Sequence, residues 1–215
     1  MAEQNRNPLT ERAILDAALQ IADERGLDAI SMRAVADRVG VTPMALYPHI
    51  GSKAALLDGI VDRMLAEFLP TSAPSDLTWR DRLRQVGHGA RELARRHPAG
   101  FTLLFARPAV TRDAVRVVDI IYGAMLDAGV PDAQVLRLER LFTTFCLGYA
   151  MSEVNGRFGG ARAVRGVRGD VAPGSVPSHV HLATYLAKPV DWDAEYATDL
   201  EDLIELIADV AAASA

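Results

Sequence analysis

Cysteine and positive charge are both scarce in this sequence. Its 215 residues include a single cysteine, Cys146, and the formal net charge is −5. One cysteine cannot form an intramolecular disulfide bond, which is typical of proteins in a reducing cytoplasm. The negative charge excludes a protein that binds polyanions through bulk positive charge, so any nucleic-acid binding must depend on the local placement of basic groups.

Targeting and membrane signals are also missing. No run reaches the roughly 18 consecutive apolar residues of a membrane helix, and the N-terminus has no charged-then-apolar signal pattern. We therefore expect a cytoplasmic protein that does not contact a membrane.

Catalytic motifs are absent from the sequence. It contains no G-x-S-x-G elbow, no H-E-x-x-H, no G-x-x-x-x-G-K phosphate loop and no G-x-G-x-x-G after a strand. Its histidines are scattered, and nothing pairs them with Cys146. His179 and His181 lie close together, but no acid or cysteine cluster accompanies them. We predict no catalytic residue, no metal and no cofactor.

Helix signals, by contrast, are frequent, and between residues 31 and 57 three helix starts follow one another closely. Ser31 can cap a helix that begins at the next residue, and Gly40 can end it. Thr42-Pro43 then favours a second start, because proline at the first helical position loses only an unpaired N–H. Ser52 can cap a third helix.

A short helix, a glycine turn and a second short helix form the layout of a helix-turn-helix, whose second helix enters the DNA major groove. We predict that residues 43–49 form this recognition helix, ending one or two residues early because of Pro48. Lys53 would meet a phosphate at the start of the third helix. The alternative is two helices of an ordinary bundle. The outward face would carry Thr42, Pro43, Met44, Tyr47 and His49.

The segments from Gly26 to Ala36 and from Gly40 to Tyr47, with His49, Lys53 and the leucines at 56 and 57, resemble the TetR/AcrR repressors of bacteria. The resemblance implies a dimer that binds operator DNA through this segment. It implies DNA contacts at the matching positions, which are Thr42, Pro43, Met44, Tyr47, His49 and Lys53. We also predict DNA contacts at Ser31 and Arg33.

The remaining patterns predict an all-α protein with an N-terminal three-helix DNA-binding head and a C-terminal helical body for ligand binding and dimerisation. The head would span residues 1–52, with a first helix that opens at Thr10. A polar tail precedes it, in which Arg6 could reach a phosphate. A connecting helix would span 53–69, followed by a break at 70–75. The body would span 75–215, with helices at about 78–96, 101–105, 111–128, 132–155 and 193–212.

Residues 156–178 are rich in glycine and arginine and lack helical periodicity, so we predict a mobile loop. An RNA-binding Arg/Gly tract is the alternative. We do not favour it, because the segment is short and lacks regular aromatic residues.

Residues 141–151 contain no charge, so the helix that holds them should be buried on more than one side. One side would face the core, and another a partner subunit or a ligand cavity. The alternative is the central helix of a monomer. Pairing this helix and the last one with their copies would form a four-helix dimer interface. It would contain Leu147, Met151, Leu200, Leu203, Ile204 and Ile207.

The body also resembles the regulatory domain of tetracycline-repressor-type members, at residues 78–83, His97, Arg107-Pro108 and 145–153. Those members hold a magnesium-tetracycline complex with histidines, and here the corresponding stretches read Glu67-Phe68-Leu69 and Leu103-Leu104-Phe105. We therefore predict that tetracycline is not the effector and that no metal is required.

An apolar effector cavity is expected between the body helices, because aromatic and methionine side chains with few polar groups are typical of small-molecule pockets. Each of the candidate residues could equally be plain core. They are Met64, Phe68, His88, Phe101, Phe105, Tyr122, Met125, Phe142, Phe145 and Tyr149.

The sequence thus predicts a ligand-responsive repressor, a homodimer that binds a palindromic operator in double-stranded DNA and is released by a small, largely apolar effector. A helical small-molecule carrier without DNA binding, or a transcriptional activator of the same fold, are the alternatives.

Overall fold

The computed structural model describes residues 9–67, 69, 77–107, 111–158 and 173–213, and every regular element among them is helical. This confirms the all-α fold class. Within these ranges, no helix is both long and apolar enough to cross a membrane. The helices are α1 Glu11–Arg25, α2 Met32–Val39, α3 Pro43–Ile50, α4 Lys53–Leu65, α5 Trp79–Arg96, α6 Pro98–Phe101, α7 Leu103–Ala106, α8 Arg112–Asp127, α9 Asp132–Val154, α10 Pro177–Leu186 and α11 Trp192–Ala212.

Side-chain caps start the head helices where the sequence predicts them. Thr10 Oγ1 accepts a hydrogen bond from the Ala13 N–H at 3.2 Å, and Ser31 Oγ accepts from the Ala34 N–H at 3.1 Å. Gly40 ends α2 in the left-handed conformation, at φ +75°. The capping oxygens satisfy N–H groups that have no partner within their own helix.

The recognition helix begins at Pro43 as predicted, but it differs in its capping and in its end. Thr42 occupies the N-cap position, but its hydroxyl makes no capping bond. The early end predicted from Pro48 is wrong, because α3 continues to Ile50. Leu46 and Ile50 are both buried and anchor its two turns in the core, and the Gly51 N–H closes the helix on Tyr47 O at 2.8 Å. Packing therefore outweighs the one backbone bond that Pro48 removes.

The main body helices begin and end within about two residues of the predicted bounds, with two exceptions. Helix α4 ends at Leu65 rather than 69, because the Glu67 N–H bonds to Met64 O at 3.0 Å in a tighter turn. The single helix predicted at 101–105 is instead two short helices, α6 and α7. Thr102 separates them, and its hydroxyl donates to Ala99 O at 2.8 Å.

The segment after residue 172 also departs from prediction. Helix α10 occupies residues 177–186, so the predicted loop is wrong at residues 177–178. Pro177 stands at the first helical position, where proline favours a helix start. Residues 159–172 of that loop, the break at 70–75, and the predicted roles of Arg6 and Phe68 lie outside the described residues.

Helix α4 joins the head to the body. Its buried residues Leu56, Ile60 and Met64 belong to one hydrophobic cluster that also contains Ile14 of α1 and Phe101 of α6. A second cluster is built from α5, α8, α9 and α11. The head and the end of the body nearest to it therefore share a continuous core.

This packing corrects three of the six predicted dimer residues. Leu200, Ile204 and Ile207 are fully buried within the chain itself, so their side chains offer no surface to a partner. Leu200 packs so close to Gly87 of α5 that an added Cβ there would lie 2.8 Å from it. Leu147 and Met151, half-buried, pack against the cluster that contains the head. Leu203 is half-buried on α11.

Candidate DNA-binding surface and effector cavity

The solvent face of α3 carries the side chains that the sequence assigned to DNA. Met44 is 73% exposed and Tyr47 is 42% exposed, although both are large and partly apolar. Thr42, Pro43 and His49 are exposed beside them. This surface combines a hydroxyl, an imidazole and apolar groups, which can contact phosphates, base edges and thymine methyls.

Few of the basic groups near α3 remain available for DNA. Arg38 is held by Glu24 of α1 through a two-bond ion pair, one bond of which measures 2.8 Å. Arg33 is exposed and only 4.0 Å from Asp37, a loose contact. Lys53 is exposed and forms no ion pair with any residue in the described ranges. Lys53 is therefore a basic side chain near α3 that the described residues leave without a charged partner.

The two serine caps have a structural role first. Ser31 and Ser52 each accept a backbone N–H through Oγ, at 3.1 Å. A hydroxyl can accept and donate at the same time, so the hydrogen of Ser31 can still reach a phosphate oxygen.

A partly open cavity of about 180 Å³ lies between α5, α8 and α9. Leu65 at the end of α4 closes one side, and Phe101 and Leu104 close another. The rest of its wall consists of Val86, Ala90, Leu93, Ala114, Val117, Val118, Ile121, Glu139, Phe142, Thr143, Cys146 and Leu147.

Of the nine predicted wall residues that the structure describes, two line the cavity, Phe101 and Phe142. Met64 and Met125 are fully buried but belong to the solid core. Tyr122 is half-buried on the second cluster. His88 and Phe105 are exposed, because helical periodicity turns them to solvent.

Phe145 and Tyr149 lie on a different face of α9, along an open groove of about 440 Å³ with Gly148 and Phe158. Tyr149 donates a hydrogen bond to Trp192 O at 3.1 Å, and burial raises the pKa of Tyr149 to about 12. This groove is separate from the cavity.

The sequence analysis missed Glu139, Thr143, Cys146 and Leu147. With Phe142 they form one stripe of α9, because residues three or four apart share a helix face. This spacing is visible in the sequence, but a carboxylate and a threonine do not match the large apolar residues typical of a pocket wall. The Thr143 hydroxyl donates to Glu139 O at 2.9 Å. Burial raises the pKa of the Cys146 thiol to about 12, so the thiol is protonated at neutral pH.

A polar junction connects the head to the body beside the cavity. His97, at the end of α5, places Nδ1 2.8 Å from Asp23 Oδ2 and Nε2 3.1 Å from Glu67 Oε2. Arg96 also donates to Glu67, at 2.8 Å. Burial raises the pKa of Glu67, but the bonds from His97 and Arg96 outweigh it, so the pKa lies below its ordinary value.

A second charged cluster lies near the same end of α5. Arg91 of α5 is buried, and its Nε donates to Glu153 of α9 at 2.6 Å. Its NH2 lies 2.8 Å from Asp193 of α11, and its guanidinium lies 4.7 Å from the centre of the Tyr196 ring. The cluster ties three helices together.

Both parts of this arrangement match known protein families. The family of bacterial regulatory proteins called the tetR family matches residues 14–60, which contain α2, α3 and the start of α4. The tetracyclin repressor-like C-terminal domain matches residues 83–167. The chain belongs to the TetR family. Its head is the DNA-binding helix-turn-helix domain of these transcriptional regulators.

Individual TetR-family relatives cover different parts of the chain. The HTH-type transcriptional repressor DrrR1 of Streptomyces coeruleorubidus is 30% identical over 149 residues, which are 68% of this chain and 54% of that protein. An HTH-type transcriptional regulator of Saccharopolyspora erythraea is 31% identical over 147 residues, 67% of this chain and 61% of its own. The chain therefore spans a little over half the length of these curated relatives.

Among solved structures, apo ActR from Streptomyces coelicolor superimposes on this TetR-family chain with a TM-score of 0.79. It is 26% identical, and the match covers 97% of this chain and 99% of ActR. ActR has also been solved in complex with actinorhodin, and that structure gives a TM-score of 0.78 at the same identity, over 95% of this chain and 99% of ActR.

Proposed function

We propose that this TetR-family chain is a ligand-responsive transcriptional repressor. It binds a palindromic operator as a homodimer and is released by a small, largely apolar effector. One observation carries the proposal: α4 has Lys53 beside the recognition helix at one end and Leu65 on the cavity wall at the other. Its 13 residues span about 20 Å, so one rigid element contacts both sites.

In this proposal residues 1–52 form the DNA-binding domain, 53–69 the connecting segment and 75–215 the domain for ligand binding and dimerisation. The protein acts in the cytoplasm, where it meets double-stranded DNA. Two recognition helices enter successive major grooves about 34–36 Å apart.

The homodimer forms through the faces of α9 and α11 that the chain leaves uncovered. On α11, Leu206 is 43% exposed and lies next to Leu203, and on α9 Leu141 is 39% exposed. Two such helices from each protomer make a four-helix interface. This replaces the buried stripe of α11 that the sequence suggested.

Ligand binding reaches the DNA-binding head through α4. Arg107, which follows α7, bonds to Asp58 of α4 and donates to Ala54 O at 3.1 Å. Asp62 of α4 accepts the Asp113 N–H at the start of α8 at 3.0 Å. A ligand that displaces α7 or α8 therefore displaces α4. Regulation requires a coupling free energy on the order of 1–3 kcal/mol between the two sites.

Two relatives support the regulatory reading. DrrR1 carries the description of a repressor, and ActR, which has the same fold over nearly its whole length, has been solved with actinorhodin bound. Neither identifies the operator or effector of this chain.

Selection of bound duplexes from a random DNA pool, at a stated salt concentration, tests the proposal. A palindromic consensus with half-sites one helical turn apart is expected. Failure to enrich any sequence, with folded dimeric protein, would contradict it and favour the carrier. A reporter gene placed behind the selected operator then separates repression from activation.

A further inference from the structure

The wall of the cavity contains one ionisable carboxylate. Glu139 is half-buried on α9, where every surrounding wall residue except Thr143 and Cys146 is apolar. Glu139 thus places an acidic residue in a wall that is otherwise almost entirely hydrocarbon. Placing a charge against apolar surface costs free energy unless a partner compensates for it.

No cation of the described segments compensates Glu139. Among the described residues no ion pair includes Glu139. Of the two arginines nearest in sequence, Arg137 donates to Gln134 at 2.7 Å, and Arg140 is exposed. The Thr143 hydroxyl donates to Glu139 Oε1 at 3.2 Å.

The other polar groups of the wall are acceptors or weak donors. The Thr143 hydroxyl donates within α9, to Glu139 O at 2.9 Å and to Glu139 Oε1 at 3.2 Å, so its hydrogen is already used inside the helix. The Cys146 thiol is a weak donor and already interacts with Tyr196. The cavity therefore offers acceptors and negative charge, and it lacks a strong donor.

The cavity volume limits the apolar part of the ligand. About 180 Å³ is slightly more than the roughly 150 Å³ of an apolar cavity that holds one benzene molecule. In this conformation the site accommodates a single ring or a short aliphatic group with a polar substituent.

We infer that the cavity binds a small apolar amine, whose ammonium group pairs with Glu139 while its ring or chain lies between Phe101, Ile121 and Phe142. This inference rests on the proposed function only in treating the cavity as the effector site. Binding exchanges ligand–water contacts for a charge-assisted hydrogen bond in a largely apolar site, where such bonds are strong. A carboxylate of the same size would meet like charge and no donor.

Three probes of matched shape test the inference by calorimetry on the full chain: 3-phenylpropylamine, 3-phenylpropan-1-ol and 3-phenylpropionate. The amine is expected to bind at least tenfold more tightly than the alcohol, and the carboxylate most weakly. Equal affinities, a preference for the carboxylate, or no binding of any probe at millimolar concentration would overturn the inference.

Variants of the chain test whether Glu139 supplies the negative charge that binds the amine. Glu139→Gln should weaken the amine at least tenfold and change the alcohol less than twofold. Glu92→Gln is the matched control, because Glu92 is an exposed residue of α5 with only a 3.6 Å contact to Arg96. Ala114→Leu, which fills the cavity, should abolish binding of both probes. An unchanged amine affinity in Glu139→Gln would remove Glu139 from the site.

Operator binding separates this inference from the proposed function. The amine could bind in a way that depends on Glu139 and yet leave the affinity for the selected operator unchanged. That result would support the amine as the ligand class and reject the cavity as the regulatory site. Release of the operator by the alcohol and the carboxylate, but not by the amine, would keep regulation and reject the ligand class.

Discussion

His97 Nδ1 lies 2.8 Å from Asp23 Oδ2, and this contact joins the end of α5 in the body to α1 in the head. The other ring nitrogen faces Glu67, which follows α4. One imidazole therefore bridges the three elements whose relative positions set the orientation of the recognition helix.

Replacing His97 with alanine should lower the free energy of unfolding by about 2 kcal/mol, because two hydrogen bonds to charged groups are lost in a largely buried site. Urea denaturation measures the change. His181→Ala, on the exposed surface of α10, is the control and should be close to wild type. Equal stability of the two variants would show that the bridge contributes nothing.

Tyr47→Ala should weaken operator binding on the order of tenfold, or about 1.4 kcal/mol, because Tyr47 has the largest exposed side chain on α3. Fluorescence anisotropy with the selected operator measures the affinity. Tyr185→Ala, 66% exposed on α10, removes a similar surface ring away from α3 and should bind normally. Unchanged affinity of Tyr47→Ala would remove Tyr47 from the contact surface.

Lys53→Ala should weaken binding to operator and unrelated DNA alike, and it should reduce the slope of log affinity against log salt by about 1, as expected for one lost phosphate contact. Titrations at several salt concentrations measure the slope. Lys188→Ala is the control, because it removes the same charge from the body rather than from the head. There Lys188 lies 4.8 Å from the ring centre of Tyr185. A slope that matches the control would mean that Lys53 does not contact a phosphate.

Leu206→Glu should yield monomers, since a charge buried in the proposed α9 and α11 interface would lack a partner. Light scattering after size exclusion measures the mass, and circular dichroism verifies the fold. Leu126→Glu introduces the same charge at a leucine of α8 that is 50% exposed, and this variant should stay dimeric. Persistent Leu206→Glu dimers would place the interface elsewhere.

Glu153→Gln should lower the free energy of unfolding by about 3 kcal/mol at neutral pH, because Arg91 is left buried with only Asp193 as a charged partner. Glu205→Gln breaks an exposed pair with Arg80 and should cost less than about 1 kcal/mol. Thermal and urea unfolding measure the free energy of unfolding of both variants against the wild type.

The same pair predicts a pH dependence. Burial raises the pKa of Glu153, but hydrogen bonds from Arg91 and Arg95 outweigh it, so the folded pKa lies below the ordinary 4.5. The unfolded chain therefore binds the proton more readily. The stabilisation is complete above about pH 4.5 and is lost as the pH falls through the folded pKa. Wild type and Glu153→Gln should converge in stability at acid pH, and a constant difference would contradict the assignment.

The sequence determined the head almost completely, because its signals are local. Ser31, Gly40, Thr42-Pro43 and Ser52 each fix a helix end through contacts within a few residues, and the outward face of α3 follows from helical periodicity. The same local rules gave the bounds of the long body helices to within about two residues.

Tertiary structure decided which faces of those helices meet. Ile204 and Ile207 form a strong apolar stripe, but periodicity does not distinguish a stripe that packs on α5 of the same chain from one that packs on a partner. Pro48 would end an isolated helix, yet burial of Ile50 keeps α3 intact. Glu139 reads as an ordinary surface acid, and only the packing of α5 and α8 around α9 makes it part of a cavity wall.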